Sequence, residues 1–594
     1  MSSLSISGKN WILKKYNSND INFLKENFNL DEITSKLLSI RNIKKEEVLS
    51  FLNPSIKNIL PNPESLADMK KSSLRAVKIV SKKEKIGIFG DYDVDGASST
   101  ALLGRFFSEL DLDYEIYIPD RKKEGYGPSI NSFKELIEKG VKIIFTVDCG
   151  TLSFEAIDYA KKNNIDVIVL DHHQSQINLP SAHSIVNPNR LDDQSNLNYL
   201  CAAGVTFMFL ISVNKELRKI NWFKLNRLKE PNLLNYLDLV SLGTVCDVVP
   251  LTGLNRALVK QGLKILRTKK NLGLKTLIDL CKIENNLSIY HLGYVLGPRI
   301  NAGGRVGKSS HGANLLLKSD PKEIYKLASE LDFFNKERQM LEKDVFDKII
   351  TGINKFLKDP VLVKSGKNWH EGVIGIVASK LKDRFNKPVI IISINNKIGK
   401  ASARSIVGFD IGSIIIGATQ AKILIKGGGH KMAGGFSIKE ENIDNFKDYI
   451  FSKFKNIDIM LKNEKPLFLD GVIASTALNK EFYDKINVLA PFGSGNPEPK
   501  FIIENVKTIN NKIIKEKHIK SVLIGEDGSS IKAIAFNAVE SEIGAFLLKK
   551  DKKLFNIAGK LSLNEWRGQS NVEFIIDDIS VNKTFKKMVP SSIG

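Results

Sequence analysis

The chain has 594 residues, 42% of them hydrophobic, and 88 Lys and Arg against 66 Asp and Glu give a formal net charge of +22. That length allows roughly three or four domains. No apolar run approaches a membrane span and the N-terminal MSSLSISGKN lacks the apolar core of a secretory signal, so a soluble, cytoplasmic protein without membrane contact is expected. The basic balance favours a polyanionic partner such as nucleic acid, although Lys, Asn and Ile are abundant throughout and part of the charge is compositional. Cys149, Cys201, Cys246 and Cys281 are widely spaced and form no C-x-x-C pair, which argues against a disulfide framework or a zinc finger.

Residues 1–70 form a lead-in with some helix and the turn-rich runs Leu52-Asn53-Pro54 and Leu60-Pro61-Asn62-Pro63. It carries no assignable chemistry and is expected to pack on the domain that follows. From 71 to 190 helices (71–81, 97–110, 130–139, 153–163) alternate with apolar strands (86–90, 114–118, 142–147, 166–170). This is the rhythm of a mostly parallel, doubly wound α/β sheet. The first strand runs into Gly90-Asp91-Tyr92-Asp93-Val94-Asp95-Gly96. Three carboxylates so close repel one another unless cations neutralise them, and hard divalent ions with oxygen ligands are the natural partners. An EF-hand loop is excluded, because Leu102 stands where its bidentate Glu belongs and a strand, not a helix, precedes the motif.

Asp148 and the run Asp171-His172-His173 also follow apolar strands, and a parallel sheet gathers such residues at one edge. Asp247, in Gly243-Thr244-Val245-Cys246-Asp247-Val248-Val249-Pro250, is a lone acid in an apolar run, costly to bury unless paired or bound to metal. Acids with imidazole suit Mn²⁺ or Mg²⁺, and a carboxylate shared by two ions is a natural centrepiece for a two-metal site. In GPRINAGGRVGKSS the first Gly of a phosphate-loop motif is replaced by Ala302 and no apolar strand precedes it, so an ATPase reading is rejected; Arg299 and Arg305 among the glycines suit phosphate contact.

Residues 320–357 read as a long charged helix joining two lobes, and a second α/β unit follows over 358–458. Its Trp369-His370-Glu371-Gly372-Val373-Ile374 is not a zincin motif, since Ile374 stands where a second His belongs. The glycines before His430 let backbone N–H groups approach an anion. From 465 to 583 the pattern is all-β, with strands at 466–474, 501–509, 520–525, 531–536, 553–562 and 571–580, compatible with a small barrel. Phe492, Phe536, Trp566 and Arg567 are candidates there for stacking or backbone contact, and Lys583, Lys586 and Lys587 form a basic tail.

GDYDVDG, VDCG (147–150), DHH (171–173) and GTVCDVVPL (243–251) resemble the four motifs of the DHH phosphoesterase family. IPDRKKEGYG (118–127), GPRINAGGRVG (297–307), WHEGVIGIVASKL (369–381), ASARS (401–405), GGGHKMAGG (427–435) and APFGSGNPEP (490–499) narrow the resemblance to its RecJ branch of single-strand-specific exonucleases. The resemblance implies a DHH catalytic domain (71–319), the long connecting helix, a DHH-associated substrate-binding domain and an OB-fold nucleic-acid-binding domain. It implies Asp93, Asp95, Asp148, His172 and Asp247 as metal ligands, with Asp95, Asp148, His172 and Asp247 around one ion and Asp93 with Asp148 serving the other; the role of Asp91 stays open. His173, Asp148 and Asp95 would take part in catalysis. Arg121, Tyr126, Arg299, Arg305, Ser402, Arg404, Gly428 and His430 would hold the strand. The expected activity is 5′→3′ hydrolysis of single-stranded DNA to 5′-mononucleotides, in DNA repair and recombination, by a monomer working with a single-stranded-DNA-binding protein and a RecQ-type helicase. A dinucleotide phosphodiesterase, an inorganic pyrophosphatase and a catalytically inactive DNA-binding scaffold share parts of the pattern.

Overall fold

After an opening strand, β1 (Lys9–Leu13), and several short helices, the chain builds its first sheet. The structure is a computed structural model and describes residues 5–121, 123–283, 287–353, 358–455, 465–549, 553–566 and 569–581. The chain forms two compact units, one of Leu60–Val249 and Leu258–Lys462, the other of Met1–Ile59, Pro250–Ala257 and Asn463–Gly594.

In the first unit β2 (Ile86–Gly90), β3 (Tyr114–Tyr117), β4 (Ile143–Val147), β5 (Asp166–Leu170) and β6 (Ser184–Val186) run parallel in the order β3-β2-β4-β5-β6. Strands β2 and β4 are buried at every residue, which is why they read as unbroken apolar runs rather than as alternating ones. The chain turns one way from β2 to β3 and the other way to β4, so the order reverses between β2 and β4. Ligands of such sheets bind beyond the carboxyl ends of the strands at that reversal. The register sets Gly90 beside Val147 and Val147 beside Leu170. The residues that follow, Asp91, Asp148 and Asp171, therefore leave the sheet side by side.

The helix Pro321–Ile350, capped by Asp320, leads to the second sheet. It ends before the expected 357; residues 354–357 lie outside the described ones. Strands β7 (Leu362–Lys367), β8 (Val389–Asn395), β9 (Ile398–Arg404), β10 (Lys426–His430) and β11 (Ala433–Lys439) take the order β10-β11-β9-β8-β7, with only β7 and β8 parallel. The GPRINAGGRVG run, expected as a glycine-rich phosphate segment, is instead helical over Gly297–Val306 and packs on Pro321–Ile350.

The second unit holds β12 (Lys465–Leu469), β13 (Gly471–Val472), β14 (Phe501–Ile514), β15 (His518–Ile524), β16 (Ser530–Ala535), β17 (Phe555–Trp566) and β18 (Gln569–Ser580). Strands β14-β15-β16-β18-β17 follow one another and β17 pairs back onto β14, which closes a five-strand barrel. Closure leaves these strands no free edge. Of the lead-in, residues 1–59 belong here, whereas 60–70 stay with the catalytic domain, where Glu64 pairs with Lys215 and Asp68 with Arg190. β1 pairs in parallel with β12, and Leu24, Leu37, Leu38, Val48, Phe51 and Leu52 share one apolar core with the barrel's Phe501, Ile519, Ile557 and Phe574. Residues 250–257, read as catalytic domain, also join this unit: the buried guanidinium of Arg256 donates to the carbonyls of Phe51, Leu489, Ala490 and Pro491.

Candidate metal centre and phosphate cleft

Each acid of the first motif is placed by a local backbone need. Asp93 caps the helix Val94–Glu109, accepting from the Gly96 N–H. Asp95 lies in its first turn, 1% exposed, and accepts from the N–H groups of Ala202 (2.6 Å) and Ala203 (2.9 Å), the first two residues of the helix Ala202–Lys219. A helix N-terminus stabilises such an anion. The helix Leu237–Cys246 carries Asp247 at its carboxyl end and reaches Asp95 only because residue 243 is glycine: a Cβ there would come 2.6 Å from Asp95 Oδ1. Asp148, directly after β4, has φ +61°, and Val248, directly after Asp247, has φ +60°. Left-handed backbone at a non-glycine residue is strained, and such positions cluster at functional sites.

These side chains meet. Nε2 of His172 lies 3.3 Å from Asp148 Oδ1, 3.6 Å from Asp247 Oδ2 and 3.8 Å from Asp95 Oδ2. Three groups have ligand atoms within 4.8 Å of one another: Asp95, His172 and Asp247; Asp91, Asp93 and Asp148; and, linking these two, Asp148, His172 and His173. The structure thus places Asp91 with Asp93. Burial, reinforced by Asp93, pushes the Asp91 carboxyl up to about 8; burial, reinforced by Asp95, does the same for Asp247. Burial and Asp93 also hold Asp148 well above the usual carboxylate range, and burial raises Asp95. Asp148 Oδ1 is buried and accepts no hydrogen bond among the described residues. Four acids held this high, with an orphaned oxygen where these groups meet, fit a cation: a divalent ion supplies the missing partner and offsets the repulsion. The donor set of carboxylate oxygens and one imidazole suits a hard or borderline ion.

His173 stands at the edge of this cluster, its Nδ1 2.8 Å from Asp171 Oδ1. Burial opposes its charge, but the Asp171 carboxylate outweighs burial and raises the imidazole to about 9. Asp171 is buried and would be pushed up, yet His173 holds it well below the ordinary carboxylate range. Asn187 supports the pair, donating to the His173 carbonyl and to Thr151. An open cleft of about 270 Å³ adjoins the metal groups. Asp91, Asp93 and His173 form one part of its lining, Tyr92 and Tyr126 another, and Arg121, Asn301 and Arg305 the rest. The Tyr126 hydroxyl donates to the Asp148 carbonyl. Arg305 is lowered to about 10, by burial first and then by Arg121 and Arg338. Cations pressed together in this way favour an anion among them.

The other expected contacts lie on the second sheet. Ser402 pairs with Gly435, which pairs with Gly428; two residues along, Arg404 pairs with Ala433, which pairs with His430. Residues paired across and two apart share one face, so Ser402, Arg404, Gly428 and His430 form two adjacent rows on it. The Arg404 guanidinium is steadied by the hydroxyls of Ser379 and Ser402. A Cβ at Gly428 would meet nothing within 4 Å, so the backbone there is open to a ligand.

Arg299 is not brought to the cleft. Its Nε pairs with Asp332 at 2.9 Å and its Nη1 donates to the Val295 carbonyl, so it ties its helix to the long helix. On the barrel, Phe492 packs against the core, whereas Phe536 is 53% exposed and meets His518 edge-on at 5.2 Å. The Trp566 side chain and Arg567, Lys583, Lys586 and Lys587 lie outside the described residues. Residue types gave no signal for Asn187, Asn301 or Ser379: each is a neutral polar residue placed by tertiary structure. No described helix is long and apolar enough to cross a membrane.

Comparison with known proteins agrees with this architecture. The family models "DHH family, N-terminal domain", "DHHA1 domain" and "RecJ OB domain" match residues 85–244, 358–456 and 469–578. The single-stranded-DNA-specific exonuclease RecJ of Haemophilus influenzae is 34% identical over 547 residues, 89% of this chain and 93% of that protein. The same enzyme of Bacillus subtilis is 31% identical over 583 residues, covering 96% of this chain and 71% of that one. The crystal structure of Thermus thermophilus RecJ in complex with Mn²⁺ superposes with a TM-score of 0.79 at 25% identity, covering 97% of this chain and 80% of that one.

Proposed function

The chain belongs to the RecJ family of DHH phosphoesterases, a family of hydrolases, and on that premise we propose that it degrades single-stranded DNA from the 5′ end, releasing 5′-mononucleotides with Mn²⁺ or Mg²⁺ as cofactor. The observation that carries this is Oδ1 of Asp148, buried and without a hydrogen bond among the described residues, where groups of side chains that could hold metal ions meet beside a cleft lined by Arg121, His173 and Arg305. Relatives at 31–34% identity named as single-stranded-DNA-specific exonucleases give the substrate. In this reading Asp95, His172, Asp247 and Asp148 hold one ion, and Asp91, Asp93 and Asp148 hold the second.

Two bound divalent ions lower the pKa of a water and offset charge developing at phosphorus. The protein's own groups do the rest. His173, charged at neutral pH and oriented by Asp171, presents its Nε2 hydrogen to a phosphate oxygen or to the departing 3′ oxygen. Arg121 and Arg305 neutralise the scissile phosphate and its neighbour. Ser402, Arg404, the Gly428 backbone and His430 grip phosphate at the 5′ end, which sets the direction of digestion. The barrel, through the exposed Phe536 ring, offers a stacking surface for unpaired bases. The role is DNA repair and recombination, as a monomer acting with a single-stranded-DNA-binding protein and a RecQ-type helicase.

A panel of long single strands, matched duplex, dinucleotides and pyrophosphate, each with Mn²⁺ and with Mg²⁺, tests the reading. Release of mononucleotides from the long single strand, with duplex spared, is expected. Turnover confined to dinucleotides or pyrophosphate overturns it.

A further inference from the structure

We propose that Tyr92 is a positioning residue for Arg121: its ring fixes the guanidinium at the rim of the cleft, where the incoming strand's phosphate arrives. This deepens the reading above and rests on it for the identity of the ligand. Arg121 follows β3 in the connection that leads to the helix Ile130–Glu138, on a long, flexible side chain. Arg305 and Arg404 both feel its positive charge, and so does the Asp91 carboxylate, although among the described residues no carboxylate forms an ion pair with it. The group in direct contact with it is the face of Tyr92, with the guanidinium carbon 5.2 Å from the ring centroid, within the range of a cation–π contact.

Tyr92 is itself fixed. It sits between Asp91 and Asp93, in the turn that delivers both carboxylates, and its ring lies against the helix Gly297–Val306. There Gly304 makes the slot: a Cβ at 304 would come 3.1 Å from the Cβ, Cδ2 and carbonyl oxygen of Tyr92. Asn301 and Arg305, three residues before and one after Gly304, line the same cleft. The glycine-rich run therefore acts not as a phosphate loop but as the back wall of a stack: Gly304 admits Tyr92, and Tyr92 carries Arg121. No other role of the site absorbs the aromatic residue inside the acidic motif.

The test joins a substrate-free measurement to kinetics. In protein labelled with ¹⁵N-arginine, the Nε–H resonance of Arg121, identified by its loss in Arg121→Lys, should be displaced by the Tyr92 ring current. It should stay displaced in Tyr92→Phe and move to the position of a free arginine in Tyr92→Leu. With single-stranded DNA, Tyr92→Leu should raise KM about tenfold, the scale of a partly desolvated cation–π contact, with kcat and Mn²⁺ affinity within about twofold. Tyr92→Phe should restore KM, and Gly304→Ala, which keeps a good helix former, should reproduce the rise. In an Arg121→Ala background Tyr92→Leu should add nothing. An Arg121 resonance that ignores the loss of the ring, or a full Tyr92→Leu effect without Arg121, overturns the proposal. If the wild-type chain leaves single strands intact, the functional reading has failed instead, and the resonance alone decides whether Tyr92 positions Arg121.

Discussion

Nε2 of His172 stands 3.3 Å from Oδ1 of Asp148, an oxygen that is buried and accepts no hydrogen bond among the described residues. Asp148 belongs to two groups of side chains that could hold a metal ion, one with Asp91 and Asp93 and one with His172 and His173, and its backbone is held in the left-handed region at φ +61°. A strained, buried carboxylate with an oxygen that accepts no hydrogen bond is unfavourable for folding, and a bound cation is what relieves it.

Asp148→Asn keeps the shape and removes the charge. It should lower hydrolysis more than about a hundredfold, beyond the usual cost of losing a residue that only supports a metal ligand. Binding of single-stranded DNA, measured by fluorescence anisotropy, should stay within about threefold, because phosphate contacts come from other residues. The metal-free variant should also melt at a higher temperature than the metal-free wild type. Retained turnover would place the chemistry elsewhere.

Burial first, then a neighbouring acid, pushes Asp91 and Asp247 up to about 8. In an unfolded chain both lose their protons near pH 4. Between these values the folded protein binds more protons than the unfolded one, so the stability of the metal-free protein falls as pH rises through that window. A metal ion displaces those protons. Calorimetric titration with Mn²⁺ at pH 7, in buffers of different ionisation enthalpy, should report net release of at least one proton per chain. Binding without release would contradict the assignment of these acids as ligands.

Arg404, steadied by Ser379 and Ser402, should act on substrate capture rather than on chemistry. Arg404→Ala should raise KM for a 5′-phosphorylated strand by roughly tenfold to a hundredfold, the value of a charge-assisted hydrogen bond, with Mn²⁺ affinity unchanged. Ser379→Ala, which removes a support only, should give a smaller rise of the same kind. A fall in kcat at constant KM would move Arg404 into the chemical step.

Affinity for long single strands should fall steeply as salt rises, because each neutralised phosphate releases counterions. Arg121→Ala should make the slope of log K against log salt shallower by about 0.7, the value for one phosphate contact on a single strand. An unchanged slope would mean that Arg121 does not meet phosphate.

The acids of the site were legible because a parallel sheet turns sequence order into spatial order. Asp95, Asp148 and His172 each follow an apolar strand or its turn, and the register of β2, β4 and β5 brings them together. The barrel was legible from its alternating strands. The lead-in was not, because β1 finds its partner β12 across more than four hundred residues, and no local pattern records such a pairing. Arg299 looked like Arg305 in sequence, since both lie in one glycine-rich run. In the helix Gly297–Val306 they point to different neighbours, Arg299 to Asp332 and Arg305 to the cleft. Tyr92 was hidden by its setting: between two acids that could ligate a metal, an aromatic residue reads as filler until the slot at Gly304 is seen.

The most direct test of the central claim is a time course on long single-stranded DNA carrying a different label at each end, with Mn²⁺ present and matched duplex as the control. The account predicts that the 5′ label appears first as mononucleotide, that the 3′ label stays with the shortening strand, and that duplex survives. Early release of the 3′ label, or internal cuts that free both labels at once, would contradict it.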